Sequence, residues 1–144
     1  MKVQLERVKI VLIAGLAFLS SAQAIPRLGD LLPENPWKEV PARALIVLYS
    51  HDCGDLGNTW KVLQAQKIPL ELVNAEETLA YAPPGLEVWR GPQATAFSRA
   101  LKIRRYPTVL YLEDGRINRF WEGDKNDPAM GTSLLKFFSS VGLK

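Results

Sequence analysis

The chain is short of the residues that most often carry chemistry. Its 144 residues include one cysteine and one histidine. A single Cys excludes a disulfide within the chain, and one Cys with one His excludes a zinc site built from several such ligands. No metal site and no cofactor are expected. Long apolar runs are also scarce: beyond residue 24 no stretch is long and apolar enough to span a bilayer. Charge of one sign is equally lacking, at 18 basic against 15 acidic residues. Lys2, Arg7, Lys9 and Glu6 fall before residue 25, so the remainder carries 15 against 14, a net +1. The pI near 9.1 is therefore partly a property of the first residues, and no nucleic-acid partner is expected.

What is present begins with a leader. Lys2, Arg7 and Lys9 precede the apolar run Ile10–Leu19, and Ser20-Ser21-Ala22-Gln23-Ala24 ends in small-x-small. This is the pattern of a signal peptide over residues 1–24, cleaved after Ala24 or, with Ser20 and Ala22 as the small pair, after Ala22. As a helix, Ile10–Leu19 is about 15 Å long, half of a ~30 Å hydrocarbon core, which argues against a permanent anchor. A periplasmic or secreted product is expected, with no transmembrane segment in the mature chain. In that oxidising compartment a lone Cys is buried and inert, paired with another molecule, or a working thiol.

Residues 25–41, with Pro26, Pro33, Pro36 and Pro41, read as an extended lead-in with one short turn at Leu28–Leu32. Ala44–Tyr49 is continuously apolar and rich in β-formers, as a strand covered on both faces would be. After the turn Ser50–Gly57, the spacing of Leu56, Trp60, Leu63 and Lys67 predicts a helix ended by Pro69. Leu70–Val73 is a second strand, and so close a strand–helix–strand order predicts a parallel crossover. Residues 75–93 hold Pro83-Pro84-Gly85 and Gly91-Pro92 and read as a long loop. A helix is expected over Ala94–Leu101. A hairpin follows, with strands Pro107–Leu112 and Arg116–Trp121 joined by Asp114-Gly115. A last helix starts near Thr132 and ends at Gly142. Together these give an α/β sandwich with a mixed central sheet over residues 42–144.

That order, with a Cys ending the first strand and Ile103-Arg104-Arg105-Tyr106-Pro107-Thr108 before the hairpin, then Asp114-Gly115 and Gly123, resembles the thioredoxin fold over roughly Ala42–Leu143. The resemblance implies a cis Tyr106–Pro107 bond, with Arg105, Tyr106 and Pro107 facing Cys53 and presenting backbone to a substrate. The departures are specific. Cys53-Gly54-Asp55-Leu56 stands in place of Cys-x-x-Cys, so Leu56 replaces the resolving sulfur. Val47 replaces a buried carboxylate, and Asp52 replaces the aromatic residue before the Cys. Dithiol activity is therefore not expected.

A monothiol still exchanges when glutathione or a partner protein supplies the second sulfur. Asp52 and Asp55 oppose a thiolate at Cys53, whereas Arg105 and protonated His51 favour it. A helix start at Asn58 would take the helix dipole away from Cys53. Two functions stand. One is thiol–disulfide exchange through Cys53 with an exported partner protein or glutathione. The other is a non-catalytic binding or assembly module whose contact surface is the loop at 75–93. Three further features have two readings each. His51 is a turn residue, or with Cys53 a copper ligand. Arg99, Lys102, Arg104 and Arg105 are a solvated helix end, or an anionic docking site. Trp89 and Tyr81 are exposed binding aromatics, or fold back onto the core.

Overall fold

The computed structural model describes residues 26–144, so the signal peptide expected at 1–24 lies outside the described residues. β1 (Arg43–Tyr49) is the central strand of a five-stranded mixed sheet. Every residue from Ala44 to Tyr49 is buried because alternate side chains feed two different cores. Leu45, Val47 and Tyr49 point into one apolar cluster, and Ala44, Ile46 and Leu48 into the other. β2 (Leu70–Asn74) lies parallel to β1, with Val47 opposite Leu72. β3 (Val88–Trp89) extends the sheet in parallel beyond β2. On the other side β4 (Thr108–Glu113) and β5 (Arg116–Glu122) run antiparallel, giving the order β3-β2-β1-β4-β5. Asp114 and Gly115 join the last two strands, both at positive φ (51° and 77°), as a tight hairpin turn requires.

Helices cover both faces. α1 (Asn58–Gln64) and α3 (Met130–Ser140) bring Trp60, Leu63, Leu134 and Phe138 into the first cluster. α2 (Pro92–Ala100) brings Ala94 and Phe97 into the second, where Leu32, Trp37 and Val40 of the lead-in also pack. The lead-in is thus structural. Gly29 N–H donates to Ile117 O at 2.7 Å and Ile117 N–H to Asp30 O at 3.0 Å, so it covers part of the free edge of β5. Among the described residues, no helix is long and apolar enough to cross a membrane.

Several boundaries differ from the sequence expectation, among them the start of α2, which is Pro92 and not Ala94. α1 does not reach back to Leu56, because Gly57 sits at φ 51° and leaves the helix to begin at Asn58, and it ends at Gln64, short of Lys67. Leu56 is nevertheless buried in the same cluster as Trp60 and Leu63. α3 begins at Met130, not Thr132, after Asp127 Oδ1 accepts from Ala129 N–H at 2.8 Å and Asp127 O from Met130 N–H at 3.1 Å. It ends as Gly142 allows: at φ 78°, Gly142 N–H reaches Ser139 O and Leu143 N–H reaches Phe138 O at 2.8 Å. The loop at 75–93 is interrupted by β3, which the sequence reading lacks.

Candidate functional site

Cys53 sits just past the carboxyl end of β1, where the neighbouring strands switch from parallel β2 to antiparallel β4. In open α/β sheets ligands usually bind outside the carboxyl ends of the strands, and Cys53 lies at that end of β1. The chain leaves β1 through Ser50 in extended conformation and forms one 3-10 turn, His51–Cys53, with Cys53 N–H donating to Ser50 O at 3.0 Å. Gly54 (φ 59°) and Gly57 (φ 51°) keep the next residues out of helix. Asp55 Oδ1 accepts from Gly57 N–H at 2.9 Å, so this carboxylate serves the turn. α1 starts only at Asn58, and Cys53 is not in its first turn.

A cavity of about 340 Å³ opens at this end of the sheet. Cys53, Arg105 and Tyr106 all line it, so three of the four site residues expected from sequence come together. The fourth, Pro107, is buried behind them: its carbonyl accepts from Gly123 N–H at 2.8 Å, and the Tyr106–Pro107 bond is cis. The hydroxyl of Thr108 donates to Arg105 O at 2.6 Å, which fixes the backbone of the same turn. Cys53 is 8% exposed, and its Sγ lies 3.8 Å from Ser50 Oγ.

Sequence reading missed much of the wall. Ser50, Glu76 and the run Gly123–Asn126 line it too, so Asp52, Glu76 and Asp124 face Arg105 and Lys125. Of these, Ser50 carried a signal in its place beside the Cys turn and Gly123 in its place after the hairpin, whereas Glu76 and residues 124–126 carried none. Tyr106 is half-buried and packs against both apolar clusters. Burial raises its hydroxyl pKa above the ordinary value, Glu76 and Cys53 push it the same way, and Arg99 opposes them.

Other candidates disperse. His51 and Asp52 are exposed, with Nδ1 3.6 Å from Oδ1. Among the described residues no group of three or more His, Cys, Asp or Glu side chains is placed to hold a metal ion. The four basic residues do not form one cluster. Arg104 pairs with Glu122 at 3.2 Å, Arg105 lines the Cys53 cavity, and Arg99 lines a different cavity beside α2. Trp89 folds back, its ring edge-to-face with Trp37 at 5.4 Å and Phe97 at 5.3 Å. Tyr81 keeps an exposed ring while its carbonyl accepts from the Tyr49 hydroxyl at 2.7 Å. Burial pushes the Tyr49 pKa up to about 12, with Arg90 opposing and Cys53 adding to the rise. Compared with known protein families, curated proteins and solved structures, the chain matches none of them.

Proposed function

We propose that this chain is an exported thioredoxin-like protein whose single thiol, Cys53, exchanges with a disulfide of a partner protein or of glutathione. One observation carries the reading. Cys53 follows the central strand and lines one cavity with Arg105 and Tyr106, although more than fifty residues separate them in sequence. The sheet order β3-β2-β1-β4-β5 supports the fold part of the proposal. In the forward step the Cys53 thiolate, its proton given to water, attacks one sulfur of the disulfide. A Cys53–S–S–R bond forms, the old S–S bond breaks, and the other half leaves as a thiolate that takes up a proton. A second external thiolate then attacks the mixed disulfide, because the chain has no further sulfur of its own to do so. Arg105 supplies positive charge at the cavity, where thiolates enter and leave.

The alternative, a thioredoxin-like module that binds without exchange, is favoured by one specific feature: Cys53 is nearly covered. Intact-mass measurement separates the two. The folded chain incubated with glutathione disulfide or hydroxyethyl disulfide should gain one mixed-disulfide adduct, lost in Cys53→Ser and reversed by added glutathione. A thiol that forms no adduct while folded, yet forms one with either reagent when denatured, would defeat exchange and leave the binding module.

A further inference from the structure

The charges around Cys53 bear on which disulfide its cavity takes, an inference that rests on the exchange reading above. Five charged side chains line the cavity from four segments: Asp52 beside the cysteine, Glu76 after β2, Arg105 before β4, and Asp124 and Lys125 after β5. All five are exposed, so they meet an entering molecule rather than the core. Three are carboxylates and two are cations, and ionised Cys53 adds one more negative charge. Neighbouring charges do little to alter that balance. Arg104 is taken up by Glu122 at 3.2 Å, and His51, 3.6 Å from Asp52, offsets it only when protonated. Among the described residues, Glu76, Asp124, Arg105 and Lys125 make no salt bridge.

Tyr106, in the same wall, registers the local field. Burial is the largest cause of its raised pKa, but Glu76 and Cys53 push it further up, and the cation that opposes them, Arg99, lines a different cavity. Glu76 and the sulfur thus act together at one place in the wall, and a cation arriving there is attracted by both. Glutathione disulfide bears more carboxylates than ammonium groups. As a net anion it meets like charge from the walls and again from the thiolate. We propose that Cys53 exchanges preferentially with disulfides flanked by cationic groups, whether a small diamine disulfide or a cystine set among lysine and arginine residues of a protein, and discriminates against glutathione disulfide. In the simplest case the thiolate attacks one sulfur of cystamine. A Cys53–S–S–CH2CH2–NH3+ adduct forms as the old S–S bond breaks, and cysteamine leaves as a thiolate that takes up a proton from water.

The test compares initial rates of adduct formation, read by intact mass, for the full chain with cystamine, a dication, and dithiodipropionate, a dianion of similar size. Both reagents meet the same thiolate, so their rate ratio does not depend on how far Cys53 is ionised. The urea-unfolded chain supplies the ratio for Cys53 without its cavity. Folding should raise the preference for cystamine by about tenfold at low salt, the lower end of what charged clefts achieve, because this one carries both signs. In about 1 M KCl, where the screening length falls to about 3 Å, most of that gain should vanish. Glu76→Gln combined with Asp124→Asn should cut the gain several-fold, and Arg105→Gln should increase it. All three positions are exposed, so these changes do not disturb the core. Disulfide-linked dimers of the peptides Lys-Cys-Lys and Glu-Cys-Glu repeat the comparison for a protein segment, and the cationic reagent that gains more from folding identifies the source. A folded chain with the ratio of the unfolded one, or a gain untouched by Glu76→Gln with Asp124→Asn, would overturn the proposal while leaving exchange intact. A folded chain that forms no adduct with any of these reagents would defeat exchange itself, and the charge preference with it.

Discussion

Gly123 is where the packing behind Cys53 is least forgiving, and Gly123→Ala measures it. A Cβ built there would stand 2.6 Å and 2.9 Å from Cη2 and Cζ3 of Trp121 and 3.0 Å from the sulfur of Met130. The ring cannot simply swing aside, because Trp121 is buried and its Nε1 donates to Ser133 Oγ at 3.0 Å. Gly123 is not in the left-handed region, so the backbone itself accepts alanine. That acceptance even stabilises by about 0.4–1 kcal/mol through the unfolded chain. Overpacking of a filled core costs about 1–3 kcal/mol. The steric cost wins, leaving a net loss of roughly 0.5–2 kcal/mol and a melting temperature lower by several degrees.

The cause is identified by a double-mutant cycle in urea. Cη2 and Cζ3 belong to the outer ring of the indole, and Trp121→Phe removes the bicyclic bulk that the new methyl meets. In that background Gly123→Ala should cost little, giving a coupling of about 1 kcal/mol, well above the few tenths expected of independent sites. The substitution should also alter the rate at which Cys53 reacts with a neutral disulfide. Gly123 lines the Cys53 cavity, and its N–H holds the Pro107 carbonyl. Equal costs in the two backgrounds, or a Gly123→Ala chain as stable as the parent, would refute the steric reasoning.

Two other outcomes follow from buried groups. Tyr49 has its pKa raised from 10.0 to about 12. The unfolded chain therefore loses this proton first, and the stability it supports, complete below pH 10, should fall as pH rises toward 12. Tyr49→Phe should cost about 0.5–1.5 kcal/mol through the lost bond to Tyr81 O and flatten that alkaline decline, both read from urea midpoints at stepped pH. Leu63 on α1 is 1% exposed in the first cluster, so Leu63→Ala should cost about 2–5 kcal/mol in urea denaturation; a cost below about 1 kcal/mol would mean that α1 contributes little to that core.

Much of the fold was legible because its signals are local. β1 announces itself by an unbroken apolar run that two cores require, the hairpin by an Asp-Gly pair that accepts positive φ twice, and the end of α3 by Gly142. What escaped depends on partners distant in sequence. β3 is two residues long and is a strand only because β2 lies beside it. The lead-in reads as merely extended until Gly29 and Asp30 are seen to pair with Ile117. The spacing makes α1 longer than it is because Leu56 does face the core with Trp60 and Leu63. It does so from a turn, with a positive-φ glycine between it and the helix. Spacing reports burial, and burial does not require one continuous helix.

The site shows the same division at closer range. Cys53, Arg105 and Tyr106 were grouped through a resemblance that carried a whole topology, whereas Glu76 has no spacing that would link it to them. Its placement traces to one side chain, Asn74, which ends β2 almost fully buried. Nδ2 of Asn74 donates to Glu76 O at 2.9 Å and Thr78 O at 3.3 Å, and Oδ1 accepts from Ala80 N–H at 3.1 Å. Both amide protons and the amide oxygen are thereby used on a single loop. Tyr49, paired with Asn74 across β1 and β2, clamps the same loop one residue further on, at Tyr81 O. The segment so held carries Glu76 to the Cys53 cavity and Glu77 to the cavity beside α2. Neighbouring residues on a backbone clamped at both ends therefore put one acidic group into each cavity. A side-chain amide at a strand end thus sets part of the charge at two places, and nothing in the pattern of apolar and polar residues marks it for that task.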